Sequence, residues 1–144
     1  MDRSILHMDL DTFFVSVERQ MDSRLNGKPI LIGGTGDRGV VAACSYETRK
    51  FGVHSAMPMR MARSLCPEAI IIRGNSANYS KFSSLVTDVI KEEVPVYEKT
   101  SVDEFFVDLT GMDRFFGNFK FASELRDRVI NETGLPISFG LSLN

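Results

Sequence analysis

At 144 residues, 43% hydrophobic and 25% charged, the chain has the size and composition of one soluble globular domain with its own core, which excludes a disordered chain. Its apolar runs fall far short of the roughly 20 residues of a membrane helix. Asp2 and Arg3 argue against a signal peptide, and Cys44 and Cys66 lack the spacing of a disulfide framework or a thiolate zinc site, so a reducing, cytoplasmic setting without a membrane is expected.

Ser4 to Leu10 reads as a buried strand, and Phe13, Phe14, Val17 and Met21 then recur at helical spacing, so a helix starts near Asp11 or Thr12. Pro29 to Gly33 is a second short strand, Gly33 to Gly39 a flexible loop, and Val40 to Cys44 a third strand. A short helix from Tyr46 to Phe51 stops at Gly52, Pro58 opens another that Pro67 ends, and Ala69 to Ile72 is one more strand. After these come a helix (about Ala77 to Glu93), a strand (Val94 to Lys99), a strand (Phe105 to Leu109), a helix (about Phe119 to Glu132) and a strand (Pro136 to Leu143). With Ser4 to Leu10 placed first, the order is β-α-β-β-α-β, the ferredoxin-like split βαβ, interrupted after its first strand. The predicted fold is therefore α+β, with residues 1–11 and 77–144 as one domain and 12–76 as an inserted small α/β subdomain.

The net charge of −2 argues by itself against a nucleic-acid binder, but charge is unevenly spread. Arg38 to Arg63 carries five basic residues against Glu47 alone, net +4, whereas Val86 to Asp113 carries eight acids against Lys91 and Lys99, net −6. One segment suits an anionic ligand and the other suits cations.

In "ILHMDLDTFF" (Ile5 to Phe14), Asp9 and Asp11 end an apolar run at a strand-to-helix junction. Three readings stay open for them: a phosphatase nucleophile and acid, a polymerase's metal ligand, or the polar end of a strand. Asp103 and Glu104 are adjacent, so on a continuing strand they would point to opposite faces; they converge only at a turn or bulge, and "TSVDE" (Thr100 to Glu104) lies at the tip of the predicted hairpin. In the split order the first strand lies beside that hairpin, so Asp9 can approach both. Carboxylates brought together repel unless cations bind among them, and hard oxygens suit Mg²⁺. A pair of such ions holds the attacking and leaving oxygens of an in-line phosphoryl displacement. "DLDTF" also fits the DxDxT pattern of haloacid-dehalogenase-type phosphatases, with Asp9 as nucleophile, but that fold is a parallel sheet and the hairpin here implies antiparallel pairing. In "CSYETRKFGVHSAMPM" (Cys44 to Met59), Tyr46, Arg49 and Lys50 lie within about one helical turn, so a phenol and a phosphate-gripping guanidinium can face the same way.

Here the chain resembles the Y-family (translesion) DNA polymerases of the bacterial DinB-like group: "MDLDTFFVSVE" (Met8 to Glu18), "SYETRKFGV" (Ser45 to Val53), "SAMPM" (Ser55 to Met59), "CP" (Cys66, Pro67) and "SVDEFFVDLTG" (Ser101 to Gly111) match its motifs in order. The resemblance implies a palm built on the split βαβ order and fingers built from the insertion, in an error-prone, template-directed DNA polymerase that transfers deoxynucleotides to a primer 3′-hydroxyl. Carried over by position, it implies that Asp9, Asp103 and Glu104 bind two Mg²⁺ ions, with Mn²⁺ able to substitute and the Leu10 carbonyl as a further ligand. Backbone N–H groups around Thr12, Phe13 and Phe14 would meet the triphosphate at a helix N-terminus, Tyr46 and Arg49 would clamp it, Phe14 would lie under the sugar, and Ala42 would join a small-residue roof over the base pair. Implied partners are primer-template DNA, deoxynucleoside triphosphates and, through regions outside these 144 residues, a sliding clamp. The match covers that family's N-terminal part without thumb or C-terminal DNA-gripping domain, so these residues alone are expected to be inactive or very weak. Ala43 stands where many relatives carry a hydroxyl, and a phosphate-binding lysine is expected just after Gly140 to Asn144. The competing readings are a phosphomonoesterase with Asp9 as nucleophile and a non-catalytic partner-binding domain. His7 and His54 read as a structural neighbour and a loop residue, Asp11 and Asp108 as hydrogen-bonding turn residues, and Phe105, Phe106, Phe115, Phe116 and Phe119 as core and interface.

Overall fold

The computed structural model describes residues 4–36, 38–110 and 117–143. Its elements are β1 (Ser4–Leu10), α1 (Phe13–Met21), a 3₁₀ turn (Ser23–Leu25), β2 (Ile30–Gly33), β3 (Val41–Cys44), α2 (Tyr46–Arg49), α3 (Met59–Leu65), β4 (Ile70–Ile72), α4 (Ser76–Glu93), β5 (Tyr97–Ser101), β6 (Glu104–Asp108), α5 (Asn118–Thr133) and β7 (Ile137–Leu143). The chain divides into two compact units, Met1–Asp11 with Ala77–Asn144, and Thr12–Ser76.

The first unit is built on a four-stranded sheet in the order β5-β6-β1-β7. β1 pairs antiparallel with β6 and β7, and β5 antiparallel with β6, which is the ferredoxin-like arrangement expected from the element order. Strand alternation sorts β1 cleanly. Leu6, Met8 and Leu10 are buried on one face, while Ile5, His7 and Asp9 share the other. On β6, Phe105 and Val107 go inward and Phe106 outward. Helical stripes complete this core: Tyr79, Ser83, Val86 and Ile90 on α4, and Ala122, Leu125 and Val129 on α5. Arg128 on α5 ties the two helices by pairing with Glu92 and Glu93 while also reaching Glu132 at 2.6 Å. Gly134 ends α5 in the left-handed conformation (φ 75°), where a side chain would be strained.

Two expectations need correcting here. The strand expected from Val94 begins at Tyr97, because the Val94 N–H donates to Ile90 O and closes the last turn of α4. Of the phenylalanines expected as core and interface, Phe105 is core while Phe106 and Phe119 are exposed and form no part of it; Phe115 and Phe116 lie outside the described residues.

The second unit holds a three-stranded sheet, β3-β2-β4, with β2 antiparallel to β3 and parallel to β4. A Cβ on Gly33 would lie 2.2 Å from the Val40 carbonyl oxygen, so only glycine fits where the β2–β3 register shifts. One core cluster gathers Leu31, Val41, Val53, Met59 and Ala62 with the two thiols, Cys44 and Cys66, both free. Another packs Val15 on Ile30 and Ile32, with Phe14 and Ala43 partly buried against it. On α1 the inward residues are Phe13, Val15 and Val17, whereas Met21, expected on the same stripe, is exposed. Among the described residues no helix is long and apolar enough to cross a membrane.

Candidate active site

The sheet register brings the candidate carboxylates of the first unit together. Asp9 on β1 is the ladder partner of Glu104 on β6. Asp103 occupies the two-residue turn between β5 and β6, where the ladder is irregular between Lys99 and Ser101, so it escapes the alternation that would send it and Glu104 to opposite faces. Three bonds fix that turn. The Leu10 N–H donates to Asp103 O at 2.8 Å, the buried Ser83 hydroxyl on α4 donates to Val102 O at 2.5 Å, and the Ser101 hydroxyl donates to the Asp103 carboxylate at 2.8 Å.

Asp9 is exposed, and Asp103 and Glu104 are half-buried. Lost hydration pushes the Asp9 carboxyl above its ordinary value, the charge of Asp103 adds to the rise, His7 opposes it, and Glu104 and Asp11 add further. These carboxylates thus feel one another, yet among the described residues no three or more His, Cys, Asp or Glu side chains stand close enough to hold a metal ion. Their oxygens have taken other partners: Glu104 accepts from His7 Nε2 at 3.0 Å, and Asp103 from Ser101. Asp11 accepts the Ser138 hydroxyl at 2.7 Å on both oxygens, and its N–H donates to Pro136 O. Asp108 accepts from the Thr110 N–H at 2.9 Å, a turn-stabilising role. His54 is an exposed loop residue bonded through Nδ1 to Ser55 O.

The second unit holds the residues expected to bind an anion. Tyr46 and Arg49 are exposed on α2, with the guanidinium 4.8 Å above the phenol ring. The motif around them is held from below. Ser45 and Thr48 are fully buried; the Ser45 hydroxyl accepts from the Ile30 N–H at 2.9 Å, and the Thr48 hydroxyl donates to Ser45 O at 2.7 Å. Arg19 pins the same helix from α1: its guanidinium reaches Glu47 at 2.9 Å, Lys28 O at 2.7 Å and Leu25 O at 3.2 Å. Lost hydration is the largest influence on Glu47 and raises its carboxyl, but the Arg19 hydrogen bond, its own backbone N–H, the Arg19 charge and the Ser45 hydroxyl together hold it below its ordinary value. Thr12 caps α1 in the left-handed conformation (φ 40°, ψ 52°), which costs a β-branched residue on the order of 1–3 kcal/mol. Its hydroxyl lies 3.2 Å from that of Ser16. Phe13 is buried with its ring 5.6 Å from Phe14, Phe14 is half-buried, and Ala42 on β3 is exposed.

Sequence reasoning missed the links behind these residues. The sequence places His7 beside Asp9 as a structural neighbour but does not reveal its bond to Glu104. Arg19 and Ser83 gave no signal, because their partners lie far along the chain and in backbone carbonyls.

A sequence model of the impB/mucB/samB family matches residues 8–144. The DNA polymerase IV of Treponema denticola is 44% identical over 144 residues, covering 99% of this chain and 36% of the relative. DNA polymerase IV 2 of Mesorhizobium japonicum is 46% identical over 140 residues, covering 96% and 33%. The chain therefore spans about a third of the length of these relatives. Among solved structures, an insertion ternary complex of Dbh DNA polymerase superposes with a TM-score of 0.89 at 26% identity, covering 96% of this chain and 42% of the other. DinB from Sulfolobus solfataricus gives 0.89 at 27% identity, with the same coverage.

Proposed function

The chain belongs to the impB/mucB/samB family, and from that premise we propose that it carries the palm and fingers of an error-prone, translesion DNA polymerase that transfers deoxynucleotides from their triphosphates to a primer 3′-hydroxyl on a DNA template. The supporting observation is the β1–β6 register, which faces Asp9 with Glu104 and seats Asp103 in the adjoining turn. Residues 1–11 and 77–144 would act as the palm and residues 12–76 as the fingers.

Asp9, Asp103 and Glu104, with the Leu10 carbonyl, would hold two Mg²⁺ ions, or Mn²⁺ in their place. The fit rests on donor chemistry: these are hard carboxylate oxygens, and the like charge that raises Asp9 is what a cation relieves. Such ions supply charge stabilisation to the attacking and leaving oxygens of an in-line displacement. The chain's own part is binding and orientation. Tyr46 and Arg49 grip the triphosphate, the first backbone N–H groups of α1 at Thr12, Phe13 and Phe14 favour its negative charge, Phe14 excludes a ribose 2′-hydroxyl, and Ala42 leaves room for the base pair. No covalent enzyme intermediate is required.

The phosphomonoesterase alternative is disfavoured because β1, which carries Asp9, pairs antiparallel on both sides, whereas that chemistry sits on a parallel sheet. Primer extension with Mg²⁺ by a full-length polymerase that carries these residues tests the proposal. Template-directed extension that Asp103→Ala abolishes is expected; stable labelling of Asp9 by a phosphate mimic, without extension, would overturn it.

A further inference from the structure

His7 Nε2 lies 3.0 Å from Glu104 Oε1. A carboxylate oxygen accepts, so the imidazole is the donor and carries its proton on Nε2. The contact follows from the ladder. His7 faces Phe106, and Glu104, two residues earlier on β6, faces Asp9. His7 and Glu104 are thus diagonal neighbours, a separation that long side chains span. The ring is also braced: it stacks on Phe106 with centroids 4.7 Å apart and planes 30° from parallel. On the other flank its ladder partner is Gly140, beside which there is open space, so β7 does not crowd the ring.

Glu104 needs such a restraint. Its side chain has three torsions, it is half-exposed, and it lies within electrostatic reach of Asp9. Like charge drives the two carboxylates apart, and an unrestrained glutamate would swing into solvent. The hydrogen bond occupies one oxygen and leaves the other to bind a cation.

We propose that His7 is a positioning residue for Glu104, holding its carboxylate on the Asp9 side of the sheet by the Nε2–H bond while Phe106 holds the ring. This rests on the cation-binding reading of Asp9, Asp103 and Glu104 given above. Partners behind a metal-binding carboxylate typically set metal affinity by tenfold or more.

Calorimetric titration of Mn²⁺ into the full chain, with a deoxynucleoside triphosphate and no primer, tests it. His7→Phe keeps an aromatic ring on Phe106 but has no donor, and should lower Mn²⁺ affinity by about tenfold. His7→Gln, whose amide N–H can donate, should recover part of the loss. Wild-type affinity in His7→Phe together with loss in Glu104→Gln would overturn the positioning role alone. Wild-type affinity in Glu104→Gln would remove the cation reading, and the inference with it. If His7→Phe fails to fold, Phe106→Leu decides in its place: it removes the brace and should weaken binding a few-fold, and unchanged affinity would count against the proposal. Long-range ¹⁵N spectra of the wild-type imidazole at pH 8 give a readout independent of metal, in which the Nε2–H tautomer is expected and the Nδ1–H tautomer would refute the bond.

Discussion

Glu104 faces Asp9 across a ladder of paired strands, and the turn carrying Asp103 is bonded to β1 and to α4. Tyr46 and Arg49, in the other unit, ride on a helix of four residues, stacked on one another and exposed. The acidic set is positioned by the β1–β6 ladder, with the Leu10 N–H and the Ser83 hydroxyl bonded to the turn. The Tyr46–Arg49 pair depends on side chains beneath it: Ser45, Thr48, and the Arg19–Glu47 pair. In the proposed function, the groups that would meet compact cations sit on a paired ladder, whereas the groups that would grip a polyphosphate sit on a four-residue helix set by a few side-chain contacts. Substitutions should therefore act on chemistry in the first unit and on nucleotide affinity in the second.

The largest effect is expected from Asp103→Asn or Glu104→Gln, which should lower kcat for primer extension by about 10³-fold or more while the fold is retained, the scale of lost transition-state charge stabilisation. Arg49→Ala should instead raise KM for the incoming nucleotide by about tenfold to a hundredfold, the loss of a charge-assisted phosphate contact, with a smaller change in kcat. A kcat-only defect in Arg49→Ala would erase the distinction between the units. Arg19→Met sharpens it: although Arg19 makes no contact with the nucleotide in this proposal, freeing α2 should raise KM by about threefold to tenfold, since misplaced binding groups lose affinity and orientation. Unchanged steady-state kinetics would show that Ser45 and Thr48 hold the helix without it.

Phe14 carries two loads. Its ring is half-buried and packs against Val15, Ile30 and Ile32, so Phe14→Ala should cost about 1–2 kcal/mol, less than a full core truncation. As the proposed sugar gate it should also raise ribonucleotide incorporation; loss of stability with discrimination intact would leave it as core alone. The smallest effect on stability is expected at Asp9. Its carboxyl titrates above the ordinary value, so the folded state takes up a proton before the unfolded state as pH falls. The charged carboxylate therefore lowers stability at neutral pH, and that cost disappears as pH falls through the raised value towards 3.8. Asp9→Asn should stabilise the chain by about 0.5 kcal/mol at pH 7, a figure kept small by solvent screening, and by nothing at pH 3. Urea unfolding at both pH values checks this.

The sheet and its carboxylates were readable from sequence because strand alternation and the "DE" pair are local signals: Leu6, Met8 and Leu10 mark the inner face, and an adjacent Asp103 and Glu104 demand a turn. Tyr46 and Arg49 were readable from helical spacing. Errors arose where one residue type serves two structures. Val94 looks like strand but closes a helix, and Phe106 looks like core but lies on the outward side of β6. The His7–Glu104 bond needs a register between strands 97 residues apart in sequence, and Arg19 reaches carbonyls that no side-chain pattern reveals. Such contacts are properties of the assembled fold.

Anomalous diffraction at the manganese edge, on crystals of the full chain with Mn²⁺, primer-template DNA and a deoxynucleoside triphosphate, would locate the cations themselves. Peaks within coordination distance of Asp9, Asp103 and Glu104 are predicted, with the Glu104 carboxylate still bonded to His7. Peaks bound elsewhere, with these three carboxylates uncoordinated, would contradict the assignment of the catalytic site.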